Sequence, residues 1–173
     1  SKPMNVNRLL RLLSKLRGNP EGAKVAIKSF LGEVPKLTPM EFEGNFIATI
    51  GTNPSTIFCA HYDTIDPVDI VSGTKTLVFK NHERTILGLS AKDTSGARCL
   101  GADDGAGCEI LACLYEAGVP GIYIWSAEEE TGCKGTKRLL RGFDNLLDNI
   151  TKVISFDRRG TEDIITHQMG YRC

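Results

Sequence analysis

Short apolar segments alternate with helical segments along the second half of this chain. Residues 122–127 (IYIWSA) and 152–156 (KVISF) are rich in β-branched and aromatic residues, which favours strands. Residues 108–118 (CEILACLYEAG) place apolar residues at helical spacing, and a further helix is expected near residues 135–148. Because parallel strands are joined by long crossovers that are usually helices, this alternation predicts an α/β fold in which helices flank a largely parallel central sheet.

The first half of the chain adds further predicted helices and strands. Leucines form a broad stripe along the first segment, and Asn19-Pro20 marks the start of the second. The predicted elements are helices over 6–17 and 21–32, strands over 45–50 and 56–60, and a hairpin over 76–88. A chain of 173 residues is long enough for one domain with a core and short for two, so we expect a single domain over 1–173.

The charge balance and the cysteine spacing exclude several classes of protein. The 21 basic and 21 acidic residues cancel, so we expect neither a nucleic-acid partner nor an anionic membrane surface. No apolar run approaches the roughly 20 residues that span a bilayer. The six cysteines form no C-x-x-C pair, which predicts neither a disulfide framework nor a zinc knuckle. We therefore expect a reducing compartment, with the cytoplasm as the default location.

The first two polar clusters are His61-Tyr-Asp63 and the glycine-rich segment with Asp103 and Asp104. Imidazole is the commonest protein ligand for zinc, and a nearby carboxylate can hold its second nitrogen. Adjacent aspartates at a loop-to-helix junction also suit a helix N-cap, which explains one of the two. The N-cap explains neither the second carboxylate nor the flanking glycines, which indicate backbone brought close to a ligand.

The other two polar clusters follow the predicted strands of the second half. Residues 128–130 (EEE) come directly after one strand and Asp157 after the other. Three consecutive acids often form a solvated turn, and Asp157 can also pair with Arg158 or Arg159. In an extended segment, however, successive side chains point to opposite sides. One glutamate can then bind a metal while its neighbour faces the water on that metal.

All four clusters together indicate a metal site rather than four separate surface features. Ligands of α/β sheets gather beyond the carboxyl ends of the strands, where these clusters are expected. One histidine among several carboxylates suits zinc, manganese or cobalt better than a thiolate-type structural site. A carboxylate between two such ions, about 3.5–4 Å apart, forms a clamp used in hydrolysis. A magnesium phosphohydrolase is disfavoured because the chain has no phosphate-cradling glycine loop with lysine.

The order of these motifs resembles the co-catalytic zinc exopeptidases, a family of aminopeptidases, tripeptidases, carboxypeptidases and aminoacylases. The resemblance covers about residues 45–160 and is closest to the tripeptidase (peptidase T-like) branch between His61 and Asp103. It implies a three-layer α/β fold and a zinc-dependent metallopeptidase, a hydrolase that cleaves a terminal peptide bond as an aminopeptidase or tripeptidase. The alternatives are an N-acyl amino-acid deacylase, a carboxypeptidase or an inactive binding module. The implied substrates are peptides or N-acyl amino acids.

The resemblance also implies a ligand set for two zinc ions, with manganese or cobalt as alternatives. The four implied ligands are His61, Asp103, Glu130 and Asp157. His61 and Asp157 are implied to bind one ion and Glu130 the other. Asp103 is implied to bridge both ions and to be joined to Asp104 by a cis peptide bond.

Two further residues receive roles from the resemblance. Glu129 is implied to be the general base that takes a proton from the water, and Asp63 to orient the metal-binding histidine. The family pattern E-E-x-G ends at Gly132 and so selects Glu129 and Glu130. If the pattern is shifted by one residue, Glu128 becomes the base and Glu129 the ligand.

The sequence departs from the family pattern at the fifth ligand, a histidine nearer the C-terminus on the same ion as Glu130. The only histidine after Asp157 is His167, which we expect to be a strand or turn residue rather than a replacement, and His82 is a weaker candidate still. We therefore expect the catalytic domain to be incomplete, with its C-terminal part missing. Such a chain would hold one zinc tightly at most, have little peptidase activity alone and expose a sheet edge that favours self-association.

Overall fold

A computed structural model describes residues 6–82, 85–93, 96–160, 162–168 and 171–172. The helices are α1 (Val6–Leu13), α2 (Pro20–Gly32), α3 (Ala102–Glu116) and α4 (Lys134–Gly142). The first six strands are β1 (Met40–Phe42), β2 (Asn45–Ile50), β3 (Thr56–His61), β4 (Thr76–His82), β5 (Thr85–Asp93) and β6 (Gly96–Arg98). The remaining strands are β7 (Gly121–Ser126), β8 (Lys152–Ser155), β9 (His167–Gln168) and β10 (Tyr171–Arg172).

The central sheet has five strands in the order β1-β2-β7-β3-β8. The pairs β7/β3 and β3/β8 are parallel, whereas β1/β2 and β2/β7 are antiparallel. Four of the five strands therefore run in one direction, and β2 runs against them. The prediction of an α/β fold is confirmed: most strands of the central sheet run in one direction, and the antiparallel strand β2 makes the sheet mixed. The short segment between β2 and β3 reverses the direction of the chain, and β7 lies between these two strands, so β2 pairs antiparallel to β7.

The two faces of the sheet bury alternate residues of the inner strands β2, β7 and β3. On β7, Tyr123 and Trp125 belong to the larger core cluster, which also contains Leu111 of α3 and residues of α1 and α2. Ile124 faces the other way and packs with Leu139 of α4 in a smaller cluster. Helices therefore cover both faces, because the period of two in each strand supplies apolar side chains to both sides.

Two predicted helices are shorter than expected. The first ends at Leu13 because the chain beyond it turns into an isolated bridge between Lys15 and Thr74. The helix expected over 135–148 ends at Gly142. The next residue, Phe143, leaves helical geometry and packs edge-to-face against Phe42, with ring centroids 4.8 Å apart.

The predicted hairpin over 76–88 is part of a separate three-stranded antiparallel sheet in the order β4-β5-β6. Strands β4 and β5 pair as expected, and β5 continues to Asp93. The tip of the hairpin, residues 83–84, lies outside the described residues. The described cysteines are free thiols. Within the described part of the chain, none of the helices has the length and apolarity to cross a membrane.

Candidate metal centre

The carboxyl ends of three strands lie side by side at one end of the central sheet. Strand β3 ends at His61, which pairs in register with Ser126 at the end of β7. On its other side, Cys59 of β3 pairs with Ser155 at the end of β8. Because all three strands are parallel, the segments that follow them emerge side by side. These segments carry three of the four clusters predicted from the sequence.

The fourth cluster reaches the same edge by another route. Asp103 and Asp104 lie in the first turn of α3, which packs against β3, rather than after a strand of the central sheet. Their φ/ψ values are not helical, and the peptide bond between them is cis, as the resemblance implied. The four clusters are therefore brought together as predicted, three by strand ends and one by the start of a helix.

His61 lies at the centre of the cluster and is 3% exposed. Its Nδ1 atom is 3.0 Å from the carbonyl oxygen of Asp63, which can only accept, so Nδ1 carries the hydrogen. The opposite nitrogen, Nε2, faces carboxylates: it is 3.1 Å from Asp103 Oδ1, 3.4 Å from Asp157 Oδ1 and 3.7 Å from Glu129 Oε2. In the neutral ring, the lone pair of Nε2 points at this group of oxygens.

Two sets of side chains are compact enough to hold a metal ion, and His61 belongs to both. The ligand atoms of His61, Asp103 and Asp157 all lie within 4.8 Å of one another, and so do those of His61, Glu129 and Glu130. The first set matches the ligands implied for one ion. The second set differs from the implied arrangement, in which Glu130 shares its ion with Asp103. The described residues thus contain a His/Asp/Glu group that can bind a metal ion.

The chemistry of the donors fits a divalent cation. Burial and the neighbouring Asp157 carboxylate raise the pKa of Asp103, while a hydrogen bond from His61 lowers the pKa of Asp157. Burial likewise raises the pKa of Glu130, and the nearby Asp103 and Glu129 carboxylates add to it. Burial alone would lower the pKa of His61, but hydrogen bonds to Asp157 and Asp63 raise it to about 11. The carboxylates thus repel one another and favour positive charge between them, which a cation of this kind supplies.

Asp63 connects the histidine to the glutamate segment. Its two carboxylate oxygens accept hydrogen bonds from the backbone amides of Glu129 and Glu130, each at 3.0 Å, and Oδ1 lies 3.3 Å from Nδ1 of His61. Burial would raise the pKa of Asp63, but these hydrogen bonds outweigh it and hold the pKa below its usual range. Asp63 therefore holds the glutamate backbone as well as the imidazole, a role that the sequence did not reveal.

The two aspartates at the start of α3 have different environments. Asp104 is buried, and its carboxylate accepts hydrogen bonds from the amides of Gly107 and His61, at 3.1 and 3.2 Å. Burial raises the pKa of Asp104 to about 8. By contrast, the Asp103 side chain is 75% exposed. The hydrogen bond from Gly107 to Asp104 has the spacing of a helix cap, although the N-cap residue of α3 is Gly101, and capping does not account for Asp103.

The glycines beside these aspartates leave space for polar groups of the protein itself. A Cβ atom at Gly107 would overlap both the Asp104 carboxylate and the carbonyl oxygen of Phe156, the residue before Asp157. Gly101 has a φ of +77°, and a Cβ there would overlap the guanidinium of Arg17. The expectation that the glycines bring backbone close to a ligand is wrong for these contacts, because internal polar groups occupy the space.

The glutamates form a turn rather than the extended segment that was expected. Glu128 has a φ of 54°, and the amides of Gly132 and Cys133 both bond to the carbonyl of Glu129. The turn directs Glu128 to an ion pair with Arg138. Among the described residues, Glu129 and Glu130 thus belong to a metal-binding set and Glu128 does not. This geometry favours the E-E-x-G alignment over the alignment shifted by one residue.

The remaining sequence candidates lie away from this arrangement. Arg158 pairs with Asp163 at 3.4 Å, while Asp157 faces His61. His167 is in strand β9, as expected. The side chains of His167 and His82 lie outside the described residues. One buried charge beside the cluster, Arg17, was not among the sequence candidates, because its position in sequence gives no sign of burial.

No protein-family model matches the chain. No curated protein matches it either. Its relation to the co-catalytic zinc exopeptidases therefore rests on the motifs and on the geometry described above, and is a proposal.

Proposed function

We propose that this chain carries the active site of a metal-dependent exopeptidase, an aminopeptidase or tripeptidase of the co-catalytic zinc type. The observation that supports this most strongly is the surroundings of His61. Its Nε2 atom is buried among carboxylate oxygens of Asp103, Asp157 and Glu129, at 3.1, 3.4 and 3.7 Å. These three carboxylates come from three separate segments of the chain. A solvated turn with its own ion pairs would not bring three distant segments to one buried histidine.

The metal ligands follow from this geometry. His61, Asp103 and Asp157 would hold one ion, because their ligand atoms all lie within 4.8 Å of one another. Glu130 would belong to the second ion, as the resemblance implies, and the side chains that form a compact set with it are His61 and Glu129. Zinc fits one nitrogen and several oxygens, and manganese or cobalt fit the same donors. When bound, ions of this kind act as Lewis acids and lower the pKa of a water molecule toward neutrality.

Glu129 has the position expected of a general base. Its side chain is 37% exposed, and its Oε2 atom is 3.7 Å from Nε2 of His61. Asp63 fixes its backbone through the amide hydrogen bond at 3.0 Å. A carboxylate held in this way takes a proton from the attacking water and then gives it to the leaving amine. The thiol of Cys133 donates to its Oε1 atom at 3.8 Å.

The test replaces Glu129 by glutamine in the longest natural form of the protein and uses Glu128→Gln as the matched control. Glu128 lies next to it in sequence but pairs with Arg138. Zinc binding is measured by calorimetry, and hydrolysis is measured on a tripeptide, an N-acetyl amino acid and a peptide with a blocked N-terminus. We expect Glu129→Gln to lower tripeptide turnover by about 10²–10⁴-fold while zinc still binds, because general bases contribute this much.

Each outcome of this test has a definite meaning. Loss of turnover in Glu128→Gln instead would support the alternative alignment of the glutamates. Hydrolysis of the N-acetyl amino acid in preference to the tripeptide would indicate a deacylase rather than an aminopeptidase. Zinc binding without hydrolysis of any of the three substrates would refute the enzymatic proposal and favour a binding role.

A further inference from the structure

A buried arginine connects two of the segments that carry proposed metal ligands. Arg17 lies between α1 and α2 and is 0% exposed. Its Nη1 atom donates to the carbonyl oxygen of Tyr62 at 2.8 Å, and Nη2 donates to that of Gly101 at 2.6 Å. Tyr62 directly follows His61, and Gly101 lies two residues before Asp103. The guanidinium therefore spans the gap between the two segments.

The surroundings of Arg17 are built to accept this side chain. Gly101 and Gly105 leave the space that the guanidinium fills, since a Cβ atom at Gly105 would lie 3.1 Å from Nη2. The backbone of Arg17 is fixed as well: its amide donates to Asp66 at 3.1 Å, and its carbonyl accepts from Thr64 at 2.9 Å. Asp66 in turn forms a buried ion pair with Lys75 at 2.8 Å.

Burying the Arg17 guanidinium costs free energy, which indicates that its position has a structural role. Removing a guanidinium from water is expensive unless its hydrogen bonds are excellent. Nevertheless, Nε of Arg17 is a buried nitrogen without a hydrogen-bond partner among the described residues. The position of the side chain is thus determined by the two carbonyl groups rather than by full satisfaction of its donors. The planar fork of arginine suits two acceptors at a fixed spacing, which the point charge of lysine does not.

We propose that Arg17 is a positioning residue that fixes the separation of the His61 and Asp103 segments and thereby sets the affinity of the site for a divalent cation. The proposal rests on the metal site proposed above but not on its peptidase activity. Arg17 touches neither ligand side chain and acts through the backbone on either side of them. Groups that orient metal ligands in this way typically change metal affinity by about 10–100-fold when they are replaced.

The test compares Arg17→Lys with Arg8→Lys. Arg8 is a matched control because it is also buried, at 1% exposure, but it bonds to the Glu109 side chain in the middle of α3 rather than to backbone next to a proposed ligand. Affinity for Co²⁺ and Zn²⁺ is measured by calorimetry, the visible spectrum of bound Co²⁺ reports ligand geometry, and urea unfolding reports stability. We expect Arg17→Lys to weaken binding by about 10–100-fold and to change the Co²⁺ spectrum. Arg8→Lys should lower stability while leaving both metal readouts unchanged.

A second pair of variants keeps the proposal testable if Arg17→Lys does not fold. Gly105→Ala brings a methyl group within 3.1 Å of the guanidinium and 3.0 Å of Leu13 Cδ2, whereas at Gly32, also in a helix, a Cβ meets nothing within 4 Å. We expect weaker metal binding in Gly105→Ala and none of this effect in Gly32→Ala. Wild-type metal affinity in both Arg17→Lys and Gly105→Ala would refute the role of Arg17 but leave the proposed metal site standing. A wild-type chain that binds no cation would overturn the metal site, and the role of Arg17 with it.

Discussion

Replacing Asp63 by asparagine should uncouple the glutamate turn from His61. The carboxylate of Asp63 accepts hydrogen bonds from the amides of Glu129 and Glu130, both at 3.0 Å. Asparagine keeps one acceptor oxygen, but its NH₂ group faces the second amide, so two donors meet. A hydrogen bond to a charged group contributes about 1.5–3 kcal/mol. Losing one, and weakening the other by removing the charge, should lower the free energy of unfolding by about 2–4 kcal/mol.

The assay is urea denaturation at pH 7, where Asp63 is ionised because its pKa is held below the usual range. The matched control is Asp69→Asn, the same substitution on an exposed side chain six residues away, which should leave stability within about 0.5 kcal/mol of wild type. Zinc affinity should also fall in Asp63→Asn and not in the control, because Glu130 is released with the turn. Equal stability and equal zinc affinity in the two variants would refute the role assigned to Asp63.

Three further predictions concern packing and ionisation around the site. Gly107→Ala should be strongly destabilising, because its methyl group would overlap the backbone carbonyl of Phe156, which cannot shift without disturbing the chain. Gly32→Ala, where a methyl group has open space, should be tolerated. Thermal unfolding of both variants checks this prediction. Leu139→Ala should cost about 2–5 kcal/mol in urea denaturation, since Leu139 is 1% exposed, and Leu140→Ala, at 45% exposure, should cost far less. Burial would raise the pKa of Asp66, but hydrogen bonds to its carboxylate hold it below the usual range. Its contribution to stability is therefore complete above the unfolded-state pKa of about 3.9 and disappears as the pH falls through the lower folded-state pKa, so Asp66→Asn should flatten the acid limb of a stability–pH curve.

The strands that carry the site could be predicted from the sequence with good accuracy. The predicted segments over 45–50, 56–60, 122–127 and 152–156 correspond to β2, β3, β7 and β8, with boundaries that differ by one residue at most. Strands β2, β3 and β7 are largely buried on both faces, so they are nearly continuous in apolar residues, whereas β8 is an exposed edge strand recognised by its β-branched residues. The polar clusters could be located for the same reason, since a histidine or an acid directly after such a strand must lie at the edge of the sheet.

The features that could not be predicted depend on partners distant in sequence. Strand β7 pairs with β2 as well as β3, and local patterns do not reveal strand neighbours. Arg17 is buried only because Tyr62 and Gly101 supply acceptors from 45 and 84 residues away. Likewise, the conformation of the glutamates depends on Asp63 and on the pairing of Glu128 with Arg138. In each case a long-range hydrogen bond decided the local structure.

X-ray absorption spectroscopy at the zinc edge of the zinc-loaded protein tests the central claim most directly. The geometry predicts a first shell of one imidazole nitrogen, from His61, and carboxylate or water oxygens, at about 2.0–2.2 Å. The ligand set excludes sulfur, although Cys133 lies 3.8 Å from the Glu129 carboxylate. Replacing Asp157 by alanine should lower the occupancy and remove one oxygen from the shell. Sulfur scattering at about 2.3 Å, or a shell without imidazole, would contradict the assignment of this cluster as the metal centre.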